Sequence, residues 1–150
     1  MTRIHLDETR WPLLRVDYPT EQIDDEEWRQ HLRKLEVHLL RQERFSLVLN
    51  MLDRSFDKGQ RQGIGQVVED HKVHCEKYLA GVAMVVGGKI QLAALNIISW
   101  VNKPTFPVHV FTELDAAEQW ALDQIGGWDD QDDTTRGDED GTEGFGPGDP

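Results

Sequence analysis

Short apolar runs alternate with longer amphipathic segments along this chain. The runs Ser46–Met51 and Leu79–Val86 are almost wholly apolar, which is typical of strands buried on both faces of a sheet. Trp11–Tyr18 alternates loosely and Val108–Phe111 is short, and both patterns also predict strands. Residues 1–9 are polar and are expected to fray.

The segments between these runs carry apolar residues at helical spacing. They predict four helices, over Asp24–Arg44, Lys58–Lys77, Lys89–Asn102 and Glu113–Ile125. The first has one apolar face, formed by Trp28, Leu32, Leu35 and Leu39. Because a helix separates each strand from the next, the strands are expected to pair in parallel through right-handed crossovers. The predicted fold is therefore α/β, a four-turn βα superhelix with a small parallel sheet packed by helices.

Charge divides the chain into two parts. The 150 residues carry a net charge of −12, yet residues 126–150 alone hold nine acids and one base. Residues 127–150 bury too little apolar surface to offset their ordering entropy, which predicts a disordered acidic tail after an α/β domain over residues 1–126. The folded part lacks the basic stripe typical of nucleic-acid binding, so no nucleic-acid partner is expected.

Cellular location follows from the same composition. No apolar run approaches the length of about 20 residues that a membrane helix needs, and the N-terminus has no signal-peptide core. Cys75 is the single cysteine, so an internal disulfide is excluded. These features predict a cytoplasmic protein without membrane association.

Polar residues follow the apolar run Ser46–Met51, at the carboxyl end of the predicted central strand. In open α/β sheets this edge is where ligands and partners usually bind. Asp57 lies three residues before Gln60, which also marks the start of a helix. The predicted partner-binding residues are Asp53, Arg54, Ser55, Asp57, Lys58, Gln60 and Arg61. A solvated loop with no function is the alternative, since loops are polar in any case.

Other candidate chemistry is weaker. His71 and Cys75 share one helix face, but a structural metal needs more ligands than these, so packing is expected and no metal or cofactor is predicted. No group of residues supplies a nucleophile, a base and oxyanion donors together, so no catalytic residues are predicted. The third predicted helix is apolar over most of its circumference, which favours a homodimer through Leu92, Ile97 and Trp100.

The order of several motifs resembles a known family. The motifs are Gln60-Arg61 at a helix start, the strand Gly81–Val86, and then Leu95–Trp100, Pro107–Phe111 and Ala116–Trp120. Over roughly residues 11–126 this order is similar to the bacterial STAS-like proteins, the fold of the anti-sigma-factor antagonists, and especially to stand-alone STAS/SEC14-like members.

The resemblance implies a regulatory, protein-binding module with no chemistry of its own. The antagonists carry a phosphorylated serine at the start of the helix after the central strand. Here no serine or threonine stands beside Asp57, and Ser55 lies slightly early, as a candidate phosphorylation site or a simple turn residue. A small-molecule or lipid binder with an apolar cleft between sheet and helices is the alternative function.

Overall fold

The part of the protein that the structure describes forms a five-stranded sheet flanked by helices. The computed structural model describes residues 4–52, 56–87 and 105–134. Within these residues the sheet order is β1-β2-β3-β4-β5, from His5–Arg10, Leu13–Asp17, Phe45–Leu52, Leu79–Val86 and Val108–Phe111. The helices are α1 (Asp25–Leu39), α2 (Lys58–Asp70), α3 (Lys72–Tyr78) and α4 (Leu114–Thr134).

Two hydrophobic layers hold the helices against opposite faces of the sheet. Helices α1, α2 and α3 pack on one face, where Phe45, Leu49 and Met84 lie in the main core. Helix α4 covers the other face, where Ala117 and Ala121 pack on Val48 and Ala83. This two-sided burial explains why β3 and β4 read as continuous apolar runs.

The central prediction of the sequence is confirmed. β3 and β4 are adjacent and parallel, with Ser46 opposite Gly81 and Leu49 opposite Met84. β2 pairs with β3 and β4 with β5, also in parallel. The α/β class and the helix-packed, mostly parallel sheet are therefore correct.

The N-terminal region differs from the prediction. Residues 5–10 are not frayed but form β1, which pairs antiparallel with β2. The pattern missed this strand because β1 lies at an edge and only Leu6 along it is apolar. Its charged side chains find partners instead: Asp7 lies 3.9 Å from Arg15, and Glu8 lies 2.9 Å from Arg41.

Two helix boundaries also differ. The predicted cap Asp24 is correct and accepts a hydrogen bond from the Glu27 N–H at 2.8 Å. However, α1 ends at Leu39 rather than Arg44, and the chain then turns through Gln42 with a left-handed φ of 60°. The predicted second helix is broken at His71, whose φ of −117° leaves the helical range. The His71 imidazole lies 2.9 Å from the Glu36 carboxylate of α1, which fixes this break against the first helix.

Helix α4 runs past its predicted end. It continues through Gly126 and Gly127 to Thr134, so residues 127–134 of the predicted tail are helical. A glycine pair raises the free-energy cost of a helix by about 2 kcal/mol but removes no backbone hydrogen bond, which allows the helix to continue.

This extension predicts the effect of Gly126→Ala. No atom lies within 4 Å of a Cβ built at Gly126, so alanine fits there and should stabilise the protein by about 0.5–1 kcal/mol through helix propensity. The urea midpoint measures this. Gly81→Ala is the control and should destabilise, because its Cβ would lie 3.0 Å from the Trp120 ring. A loss of stability in Gly126→Ala would contradict the helical extension.

Some predictions fall outside the described residues. These are the helix Lys89–Asn102 with its dimer residues Leu92, Ile97 and Trp100, and the final residues 135–150. Among the helices that are described, none is both long enough and apolar enough to cross a membrane.

Candidate functional site

The candidate site lies where β2 and β3 end and α2 begins. Tyr18 follows β2, and its N–H donates to the Asn50 carbonyl of β3 at 3.2 Å, which ties the two strand ends together. Asp53, Arg54 and Ser55 lie outside the described residues, so partner binding by these three and phosphorylation of Ser55 stay predictions.

The start of α2 is fixed by a reciprocal cap. The Gln60 N–H donates to the Asp57 carboxylate at 2.8 Å, and the Asp57 N–H donates to the Gln60 side-chain carbonyl at 3.0 Å. This capping box satisfies two backbone donors that a helix start otherwise leaves open. Gln60 is buried and has a structural role in this cap, and its role in partner binding stays a prediction.

Arg61 fixes the residue just before the cap. Its guanidinium donates to the Phe56 carbonyl at 2.7 Å, from the first turn of α2 back across the helix start. Asp57 and Lys58 are both exposed. The predicted residues that the structure describes therefore divide into a rigid frame, Gln60 and Arg61, and an exposed pair, Asp57 and Lys58.

An aromatic cluster lies beneath this helix start. It consists of Tyr18, Trp28, His31 and Phe56, from the residue after β2, from α1 and from the residue before the cap. The Phe56 ring lies 5.0 Å from both Tyr18 and Trp28, with the first contact edge-to-face. Sequence reasoning placed Trp28 in the core but missed the other three members. The signal that could have indicated the cluster is the i, i+3 pair Trp28 and His31, which lies on the apolar face of α1.

His31 is held in its neutral form by this cluster. It is only 1% exposed, and its Nε2 shares a 2.8 Å hydrogen bond with the Tyr18 hydroxyl. Burial, with a smaller contribution from the Lys34 charge, lowers the pKa of His31 from 6.5 to about 4. Its Nδ1 and the Trp28 Nε1 are buried without a hydrogen-bond partner among the described residues.

Gly63 lets α2 approach α1 closely. A Cβ at this position would lie 2.9 Å from the Leu32 methyl and 3.2 Å from Trp28 Nε1. Among the glycines that weaken the start of α2, this one is required by packing.

The thiol and imidazoles of α2 and α3 do not form a reactive group. Burial raises the pKa of the Cys75 thiol to about 11, so the nucleophilic thiolate is scarce at neutral pH. His71 is engaged with Glu36. In the part of the chain that the structure describes, no group of three or more potential metal ligands comes together.

A charge network lies on the opposite face of the sheet, beside α4. Arg15 contacts Asp17 at 3.1 Å and Glu118 of α4 at 3.5 Å. Burial alone would lower the pKa of Arg15, but Asp17, Glu118 and Asp7 outweigh it and raise that pKa. The network connects β1 and β2 to α4, and it gives ion-pair partners to charged residues for which the sequence predicted no role.

A surface groove of about 520 Å³ lies between the edge strand β1 and helix α1. Ile4 and Leu6 come from the strand side and Val37 and His38 from the helix side, with His5, Glu8 and Lys34 completing the lining. Sequence reasoning missed this groove because it did not recognise β1 as a strand.

The chain was compared with protein-family models, curated proteins and solved structures. None matches it. The STAS-like resemblance therefore stays a prediction from motif order.

Proposed function

We propose that this chain is a non-catalytic regulatory module, STAS-like in type, that binds a partner protein through the start of α2. The exposed Asp57–Lys58 pair is the centre of the proposed surface. The observation that carries the proposal is the set of contacts that holds the segment around this pair in place. Loops fixed on a sheet edge carry binding more often than other surface does.

Three separate contacts hold this segment. The capping box fixes the backbone of Asp57 and Gln60. The Arg61 guanidinium holds the Phe56 carbonyl, and the buried Phe56 ring anchors the segment in the aromatic cluster. A surface that is already ordered loses little conformational entropy on binding, which favours affinity.

The charges of the pair suit recognition rather than chemistry. Asp57 and Lys58 are exposed and carry opposite charges, which favour encounter and fix register with a complementary surface. The reactive groups closest to a catalytic role, His31 and Cys75, are buried, and their shifted pKa values keep both neutral at pH 7. The alternative is a small-molecule or lipid binder with an apolar cleft between sheet and helices; among the described residues, core side chains such as Leu49 pack between the sheet and α1–α3.

The test is affinity capture with the variant Asp57→Ser, Lys58→Glu. Serine keeps the N-cap hydrogen bond, so the helix start remains while both charges change. We expect about a tenfold loss of the captured partner, quantified by mass spectrometry against wild type.

The matched control is Glu76→Ser, Lys77→Glu on α3. This second exposed acid–lysine pair undergoes the same change of net charge at a distant helix. The control should recover the partner as wild type does. Equal recovery by the two variants would refute the proposed surface.

A further inference from the structure

The outer edge of β1 is a second place where a partner can pair. β1 ends the strand order of the described sheet and has β2 on one side only. Its regular ladder runs along His5–Asp7, before an irregularity between Asp7 and Arg10. At the ends of this stretch the Ile4 N–H already donates to the Glu27 carboxylate, and the Glu8 carbonyl accepts from the Trp11 N–H. An added strand would therefore pair with backbone groups of His5–Asp7, as an open strand edge allows.

The groove beside β1 would receive the side chains of such a strand. Val37 supplies exposed apolar surface from α1, and the half-buried Leu6 and the buried Ile4 line the groove from the strand side. Val37 is 60% exposed, and Leu40, at the C-cap of α1, is 50% exposed. An edge strand with an apolar groove between it and a helix is the arrangement that strand-addition domains use, with alternate side chains of the peptide entering the groove.

The charges along the groove select the occupant. Glu8 is already engaged, 2.9 Å from Arg41 and 3.4 Å from His38. Lys34 has no carboxylate within 4.0 Å among the described residues. The Lys34 ammonium is therefore a positive charge without an ion-pair partner among the described residues, which favours a peptide with an acidic side chain at that point.

Both ends of β1 are anchored before any partner arrives. The Ile4 N–H donates to the Glu27 carboxylate at 3.2 Å. At the other end Glu8 is held by Arg41, whose guanidinium lies 4.1 Å above the Trp11 ring. The groove is therefore pre-formed, which reduces the entropic cost of docking.

We infer that the groove between β1 and α1 binds an extended peptide from a partner protein, which adds as a strand to β1, places apolar side chains on Ile4, Leu6 and Val37, and pairs a carboxylate with Lys34. This surface is separate from the start of α2 and goes beyond the proposed function. The failure of one would not entail the failure of the other, because their variants share no residue.

The experiment uses two labelled synthetic peptides of about eight residues, with valine at the alternate positions that face the groove and threonine between them. They differ at one central groove-facing position, which is glutamate in one and lysine in the other. Fluorescence anisotropy with the full chain should give about tenfold tighter binding of the glutamate peptide. Amide chemical shifts should change along β1 and α1.

The decisive measurement reverses the charge at position 34. Lys34→Glu should reverse the preference, so that the lysine peptide binds more tightly. Val37→Glu should weaken both peptides about tenfold, while the matched control Val73→Glu, at an exposed valine of α3, should change neither. Val37 and Val73 are both exposed, so neither variant should impair folding.

Several results would overturn the inference. No binding of either peptide at about 1 mM, or an unchanged preference in Lys34→Glu, would exclude a strand-addition site. Binding that requires removal of residues 135–150 would make this chain's own terminus the occupant. A dimer that Val37→Glu dissociates would make a second copy the occupant.

Discussion

Replacing Phe56 with alanine is expected to lower the free energy of unfolding by about 3–5 kcal/mol. Phe56 is 2% exposed and its ring contacts Tyr18 and Trp28, each at 5.0 Å between centroids. Removal of the ring leaves a cavity among groups from α1 and the residue after β2 that cannot close over it without moving the start of α2. Because domains of this size are stable by only about 5–15 kcal/mol, this loss is a large part of the total.

Urea denaturation at neutral pH measures the effect of Phe56→Ala as a shift in midpoint. Phe56→Leu retains much of the volume and should cost less than about half as much. Phe111→Ala is the control on the other face of the sheet, where the ring is only partly buried and a smaller loss is expected. A loss below about 1 kcal/mol in Phe56→Ala would show that this ring does not anchor the helix start.

Acidification should destabilise the protein through His31. The folded-state pKa of His31 is lowered from 6.5 to about 4. Between these pH values the imidazole is therefore protonated in the unfolded chain and neutral in the folded protein. The free energy of unfolding should therefore fall as the pH drops from about 6.5 towards 4, by about 3 kcal/mol in all. Above pH 6.5 and below pH 4 this group should contribute no further slope.

The histidine contribution can be separated from that of the carboxylates. Arg41 and His38 outweigh the effect of burial and lower the pKa of Glu8, so the stability that Glu8 adds is lost only at pH values below its usual 4.5. Measurements between pH 6.5 and 5 therefore leave out the contribution of Glu8, and comparison with a His31 variant separates His31 from the other five histidines. His31→Phe should flatten the slope in this range, whereas His109→Gln, at an exposed histidine of β5, should preserve it. An unchanged slope in His31→Phe would contradict a buried neutral imidazole.

The parts of the fold that were predictable are those in which one local pattern decides. β3 and β4 could be predicted from the sequence because strands covered on both faces must be apolar throughout. The caps at Asp24 and Asp57 could also be predicted, because each carboxylate accepts a local hydrogen bond from the backbone N–H three residues later. Neither feature depends on distant parts of the chain.

The parts that were missed depend on distant partners. β1 has charged residues that become favourable only once Arg41 and Arg15 are beside them. The break at His71 contains neither proline nor glycine, and its partner Glu36 is in another helix. At the candidate site, the burial of Gln60 was not predicted, and the aromatic cluster below it is assembled from three separate segments that no local pattern connects.

Photo-crosslinking in cells that produce the full chain tests the central claim most directly. A photoreactive amino acid replaces either Lys58 at the start of α2 or Lys77 on α3, both of them exposed. The account predicts a discrete cross-linked partner protein from position 58 and none from position 77. The same partner captured equally from both positions, or from position 77 alone, would contradict a binding surface at the start of α2.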